Sequence, residues 1–204
     1  MKLNFSNFLH LLFPETEDEK NISSSTATDF AEKRRIILID DVWALLPFGD
    51  SGVRSAVHLN KFHAHPHALK LLSFVLHIWL SSLPQKQYVL IPIPLSSKRE
   101  RERGFNQVTI VAKSAVHGLP YVILAEKVLQ KERHTPPQTS LSKLERQKNL
   151  KGVFSMSSQQ GEYIRNKDII LLDDVTTTGA TLREAKAALL LHSPASIICV
   201  ALAH

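Results

Sequence analysis

The sequence predicts an α/β domain, a parallel sheet covered by helices on both faces. Three observations lead there. Apolar runs at 88–91, 121–124, 169–172 and 196–202 lack the alternation of a half-solvated strand, as strands buried on both faces do. Stretches of helical character separate them, at about 106–117 and 181–192. The run at 169–172 then leads straight into a carboxylate pair and a Thr/Gly loop that opens a helix. That is the layout of a ligand site at the carboxyl edge of such a sheet.

In chain order, residues 1–13 form an apolar, amphipathic stub interrupted by His10 and followed by acidic residues. No small-residue cleavage site follows, so no signal peptide is expected. Residues 15–29 are rich in Glu, Ser, Thr and Asp and read as a loop or linker with little to bury. Ile36 to Ile39 is a short strand, and Asp50-Ser51-Gly52 marks a turn. Pro66 suits the first turn of a helix in which Leu69, Leu72, Leu76 and Leu80 recur at helical spacing. The segment 69–83 also carries Lys70 and His77 and is too short and polar to span a bilayer. The strand at 88–91 ends in a Pro-Ile-Pro turn, the helix from about 106 stops at Gly118, and a strand follows at 121–124. The polar stretch 130–152, with Pro136 and Pro137, reads as a long functional loop. An Ala/Leu-rich helix at 181–192 stops before Pro194, and 196–202 is a last buried strand.

At 204 residues, 44% hydrophobic and 22% charged, the chain suits one globular domain and a small appendage. This excludes a disordered chain, a collagen-like chain and a multidomain machine. The single cysteine, Cys199, excludes a disulfide framework and a zinc ribbon built from cysteine pairs. A formal charge of +6 points to an anionic partner, either a nucleic acid or a phosphorylated small molecule. A cytoplasmic location without membrane insertion is the expectation.

Residues 169–181, Ile-Ile-Leu-Leu-Asp-Asp-Val-Thr-Thr-Thr-Gly-Ala-Thr, carry the chemistry. Asp173 and Asp174 sit where the strand emerges. Thr176, Thr177, Thr178, Gly179, Ala180 and Thr181 then bring backbone N–H groups, hydroxyls and a helix N-terminus to one place, which favours a phosphate. The carboxylates would repel that phosphate, so they suit sugar hydroxyls or a metal held partly by the ligand. A sugar phosphate satisfies both. Residues 36–42 nearly repeat the strand and its aspartates, but Asp40 and Asp41 are followed by Val-Trp-Ala-Leu-Leu with no hydroxyl run. They read as strand-end or turn residues.

The segment 169–181 resembles the signature of type I phosphoribosyltransferases. Ile91-Pro-Ile-Pro-Leu-Ser96, Arg103-Gly-Phe-Asn-Gln107, Gln138 with Leu141, Glu145-Arg146, Asn149 and Gly152-Val-Phe154 are similar to the ComF competence-protein branch, as are Phe48, Arg54, Lys61 and Phe62. The resemblance spans roughly residues 43–204. It implies a type I phosphoribosyltransferase-like fold with a core domain at 84–204 and a stub, linker and small hood region at 1–83. It also implies binding of phosphoribosyl diphosphate, transfer of the phosphoribosyl group to an acceptor the sequence does not name, and a part in DNA uptake. In that reading Asp173 and Asp174 hold the ribose hydroxyls and stabilise charge at C1, and residues 176–181 anchor the 5′-phosphate. The turn at Leu95, Ser96 and Ser97, with Arg99 and Arg103, holds the diphosphate. Lys143 and Arg146 would reach the substrate from a flexible loop at 130–152 that closes over it. Magnesium would arrive with the substrate, without direct protein ligands. ComF relatives usually begin with a cysteine-rich zinc ribbon; nothing of that kind stands before Trp43.

The basic run Lys98, Arg99, Arg101 and Arg103 agrees with an anionic ligand, because guanidinium groups bind diphosphate oxygens bidentately. The alternative is a solvated helix face, with Glu100 and Glu102 offsetting the cations. His58, His63, His65 and His67 read as loop residues before the helix rather than a metal site, since no cysteine or carboxylate completes a ligand set. Two rival functions stand beside the enzyme: a non-catalytic factor binding single-stranded DNA among other competence proteins, and a phosphoribosyl diphosphate sensor. Oligomeric state is not legible.

Overall fold

The structure, a computed structural model, describes residues 16–131 and 153–204. In chain order its elements are α1 (Glu17–Ser23), α2 (Ala27–Glu32), β1 (Ile37–Ile39), β2 (Val42–Leu46), α3 (Ser51–His63), α4 (Pro66–Ser81), β3 (Tyr88–Pro92), α5 (Ser97–Arg103), α6 (Gln107–Ala115), β4 (Val122–Leu124), β5 (Gln130–Lys131), β6 (Phe154–Ser155), α7 (Ser158–Ile164), β7 (Asp168–Val175), α8 (Ala180–Leu190) and β8 (Ser196–Ala203). Six strands form one sheet in the order β1-β2-β8-β7-β3-β4, and β5 and β6 form a separate antiparallel ribbon. Within the sheet, β2, β8, β7, β3 and β4 are parallel; β1 turns back antiparallel on β2.

Side-chain alternation divides the apolar strands between two cores. Leu90 of β3, Ile170 and Leu172 of β7, and Val200 and Leu202 of β8 join a core built with α1, α2, α3, α4 and α6. Val89 and Ile91, Ile169 and Leu171, and Cys199 and Ala201 point the other way, to Leu182, Ala185 and Leu189 of α8 and Ile164 of α7. Both faces are covered, which is why these strands carry no polar alternation. The α4 helix starts with Pro66 in its first turn, as the sequence indicates.

Residues 17–32 correct the expectation of a linker. Two capping boxes fold them into α1 and α2: Thr16 with Glu19, and Thr26 with Asp29. Each short helix then seals itself to the core with one large apolar residue, Ile22 and Phe30, both buried. Asp50 likewise starts a helix rather than a turn. It caps α3 by accepting from the Val53 N–H at 3.0 Å, and it pairs with Lys33 at 2.9 Å.

Three of the four histidines are helical rather than loop residues, and His65 stands in the short connection between α3 and α4. His58 and His63 lie on α3, His65 caps α4 and His67 falls in its first turn. His58 meets Asp18 at 2.5 Å, His65 lies 3.7 Å from Glu19, and His67 bonds the Ile22 carbonyl at 3.0 Å. They dock α1 on the α3–α4 pair. Strand β2, upstream of residue 84, lies in the main sheet against β8. Among the described residues no helix is long and apolar enough to cross a membrane.

Candidate functional site

Leaving β3 the chain steps outward to β4 across α6, and leaving β7 it steps to β8 across α8 on the opposite face. The switch point therefore lies between β3 and β7, where open α/β sheets form a crevice at their carboxyl ends. Pro92 pairs with Leu172, and the Ile93 N–H donates to the Leu172 carbonyl at 2.8 Å. The turn at 94–97 and the loop at 173–181 are thus brought side by side.

The threonine loop is shaped from within. Thr176 is buried; its hydroxyl accepts from the Gly179 N–H at 2.9 Å, and its own N–H donates to the Ala203 carbonyl at 3.0 Å. Its groups hold the loop, while Thr177 and Thr178 are exposed at the crevice. Gly179 takes φ +69° at the start of α8, and a Cβ there would lie 3.0 Å from a Val42 methyl. Only glycine fits that left-handed turn without strain. The result is a cup of about 50 Å³ lined by Asp173 and residues 175–181.

Asp173 and Asp174 stand at the lip of this cup. Asp173 accepts from the Asp174 N–H at 2.9 Å, and Asp174 accepts from the Val175 N–H at 2.8 Å. Burial, and then the neighbouring Asp174 carboxylate, push the Asp173 carboxyl up to about 8. The pair is poised for something that offsets negative charge: a hydroxyl donor or a cation. Among the described residues no group of three His, Cys, Asp or Glu side chains is placed to hold a metal ion.

The Arg103-to-Gln107 segment locks onto these carboxylates. Gly104 ends α5 at φ +75°, turning the chain sharply. Asn106 caps α6 through Val108 N–H at 2.9 Å and ties it to the Ile93 carbonyl at 2.9 Å. Gln107, buried, then donates to Asp174 Oδ2 at 2.9 Å and accepts from Arg103 Nη1 at 3.0 Å. The Arg103 guanidinium also lies 5.3 Å from the centre of the Phe62 ring.

The helix α5 sorts its cations. Ser96 caps it, with Leu95 and Ser97 beside it in the turn after β3. Lys98 and Arg101 are exposed, whereas Arg99 and Arg103 are half-buried toward the crevice. Burial, and then Arg99, hold the Arg103 guanidinium below its ordinary value. A further cation comes from β5: Lys131 is held below the ordinary lysine range by burial, with Asp173 opposing that shift and Arg99 adding to it. A cleft of about 710 Å³ opens beside this turn, lined in part by Leu95, Ser97, Asn106, Gln130 and Lys131.

The structure therefore brings Asp173, Asp174, residues 176–181, Leu95 to Ser97, Arg99 and Arg103 to one crevice. Lys143 and Arg146 lie outside the described residues. Two contributors escaped the sequence reading: Gln107, which stood in a recognised motif without a role, and Lys131, at the start of the polar stretch.

Residues 60–204 match the family model of the phosphoribosyl transferase domain. Competence protein F of Haemophilus influenzae is 35% identical over 95 residues, covering 47% of this chain and 41% of that protein. Competence protein ComFC of Bacillus subtilis is 36% identical over 107 residues, covering 52% and 40%. The DNA utilization protein YhgH of Salmonella typhi is 30% identical over 108 residues, covering 53% and 45%. The chain thus spans less than half the length of these relatives. A hypoxanthine phosphoribosyltransferase of Staphylococcus aureus aligns in structure with a TM-score of 0.41 and 16% identity, over 65% of this chain and 61% of that one.

Proposed function

The chain belongs to the phosphoribosyl transferase domain family, and on that premise we propose that it binds phosphoribosyl diphosphate in the β3–β7 crevice and transfers its phosphoribosyl group to an acceptor. The observation that carries this reading is the threonine cup, with the Asp173–Asp174 pair at its lip and the cation-lined turn at 94–103 beside it.

The 5′-phosphate would sit in the cup, on the N–H groups and hydroxyls of residues 177–181. Asp173 and Asp174 would accept from the ribose hydroxyls, adding donors to the crowded pair beside the backbone N–H groups and Gln107. Arg99, Arg103 and Lys131 would face the diphosphate. In the reaction the C1–oxygen bond to diphosphate breaks, the diphosphate leaves with the electron pair, and the acceptor's nucleophile bonds C1. Positive charge gathers at C1 beside the aspartates, and negative charge gathers on the departing oxygens beside the cations. Groups already in place on the two sides of a breaking bond lower the barrier by electrostatic preorganisation; Asp173, which holds its proton up to about pH 8 in the free fold, would release it as positive charge gathers beside it. Magnesium arriving with the substrate would supply additional charge neutralisation, and the Asp173–Asp174 pair is the set of groups here that would face it.

The names of the competence and DNA-utilization relatives support a role for this site in DNA uptake. Calorimetric titration of phosphoribosyl diphosphate with magnesium tests the core of the proposal. Saturable binding to the wild type, lost in the Asp173→Asn/Asp174→Asn variant, supports it. A folded wild type that takes up no ligand defeats it.

A further inference from the structure

None of the groups assigned to the ligand comes from the body of α8, yet one side chain there reaches back to the cup. Helical side chains lean toward the N-terminus of their own helix. Arg183 follows that rule, and its guanidinium lies against the threonine loop. Its Nη1 is 2.8 Å from the point where a Cβ would stand on Gly179, one of the residues that line the cup. Glycine at 179 leaves room for it.

A cation in this place needs an anion. The start of a helix carries partial positive charge on its free N–H groups and repels a guanidinium brought up to it. Asp40 supplies the anion, with its Oδ2 2.7 Å from Arg183 Nη1. It stands in the turn between β1 and β2 at φ +45°, and Asp41 beside it binds Lys186 at 2.5 Å. The two aspartates that follow the strand at 37–39 are thus turned onto α8. The Arg183–Asp40 pair lies toward solvent, with the Asp40 side chain 70% exposed. Exposed pairs hold weakly. A phosphate dianion that accepts two N–H bonds from the same guanidinium is the stronger partner.

We propose that Arg183 is a ligand of the 5′-phosphate and that Asp40 competes with the phosphate for it. The inference rests on the phosphoribosyl diphosphate reading and adds to it a side-chain cation and an internal competitor at the phosphate end. When the phosphate settles on the loop, the guanidinium turns from Asp40 to the phosphate oxygens. The Lys186–Asp41 pair keeps the β1–β2 turn on α8 meanwhile. The cost of leaving Asp40 then sets part of the affinity, so the two residues act on binding with opposite signs.

Calorimetric titrations of phosphoribosyl diphosphate with magnesium, and of diphosphate with magnesium, into the full chain and three variants test this. Arg183→Gln should bind phosphoribosyl diphosphate about tenfold or more weakly, through loss of a charge-assisted bond. Asp40→Asn keeps the side chain's shape and tolerates the left-handed turn. It removes the competitor and should bind up to about fivefold more tightly, the worth of an exposed pair. In Arg183→Gln/Asp40→Asn that gain should vanish, because a competitor has no effect once the group it competes for is gone. Diphosphate lacks the 5′-phosphate and should bind all four proteins alike. A wild type that binds phosphoribosyl diphosphate no better than Arg183→Gln overturns the inference alone. So does a gain from Asp40→Asn that survives without Arg183, or a loss that diphosphate shares, since each marks a general field. A wild type that takes up no phosphoribosyl diphosphate defeats the underlying reading as well.

Discussion

The side-chain amide of Gln107 donates to the Asp174 carboxylate at 2.9 Å. Its other end accepts from Arg103 at 3.0 Å, so one buried group fixes both an acidic and a basic member of the crevice. An amide suits this position because it donates at one end and accepts at the other.

Replacing Gln107 by Ala should remove a bond to a charged group, worth about 1.5–3 kcal/mol. Calorimetry is expected to show a loss of affinity for phosphoribosyl diphosphate of about tenfold or more. Gln107→Glu, which sets a carboxylate against Asp174, should lose more. An affinity equal to wild type in both variants would show that the bridge does not position the site.

Asp173 sets a pH dependence of stability whose sign is fixed. Its carboxyl stands near 8 in the fold against an ordinary 3.8. Between those values the folded chain holds a proton that the unfolded chain has released, so stability is greatest below the lower value and falls as pH rises through the upper one. Asp173→Asn should flatten that slope and unfold at higher urea than wild type at about pH 8, while losing the ligand. Urea midpoints measured across this pH range check both halves.

The two orientations on α5 predict different phenotypes. Arg99→Ala/Arg103→Ala should weaken phosphoribosyl diphosphate binding by tenfold or more, since charge-assisted bonds are the strong ones, at about 1.5–3 kcal/mol each. Lys98→Ala/Arg101→Ala, on the solvent side, should bind within about twofold of wild type, as exposed charges contribute little. Equal losses in both pairs would point to a general field rather than direct contacts.

Gly179→Ala should destabilise the chain by about 1–2 kcal/mol for the left-handed conformation alone, with further cost from the Val42 methyl 3.0 Å away. Arg183 can swing aside, but Val42 sits in the sheet and cannot. Gly49→Ala is the matched control, because nothing lies within 4 Å of its added carbon. Thermal melts of the two variants separate strain from loss of flexibility.

The core strands were legible because burial on both faces leaves continuous apolar runs, as in Ile169 to Leu172. The threonine loop was legible because its residue types state their own chemistry. The helices α1 and α2 were not. Each is short, mostly polar and attached by one large buried side chain, and their only local signals were the spacings Thr16 to Glu19 and Thr26 to Asp29. Gln107 was invisible for another reason: its partner Asp174 lies 67 positions away, a distance only the sheet order closes. Lys131 resembled any surface lysine until the β5–β6 ribbon set it near Asp173.

The alternation along β7 acts on mutation like a reading frame. Ile169 and Leu171 serve one core, and Ile170 and Leu172 serve the other, immediately before Asp173. Deleting a single residue among these four would exchange the faces of those before the gap or those after it and shift the carboxylates by about 3.3 Å relative to the rest of the strand. Hydrophobic content would be nearly unchanged, yet both cores and the crevice would fail together. Lineages of this chain can therefore explore β7 by substitution, while changes of length are confined to the connections between strands.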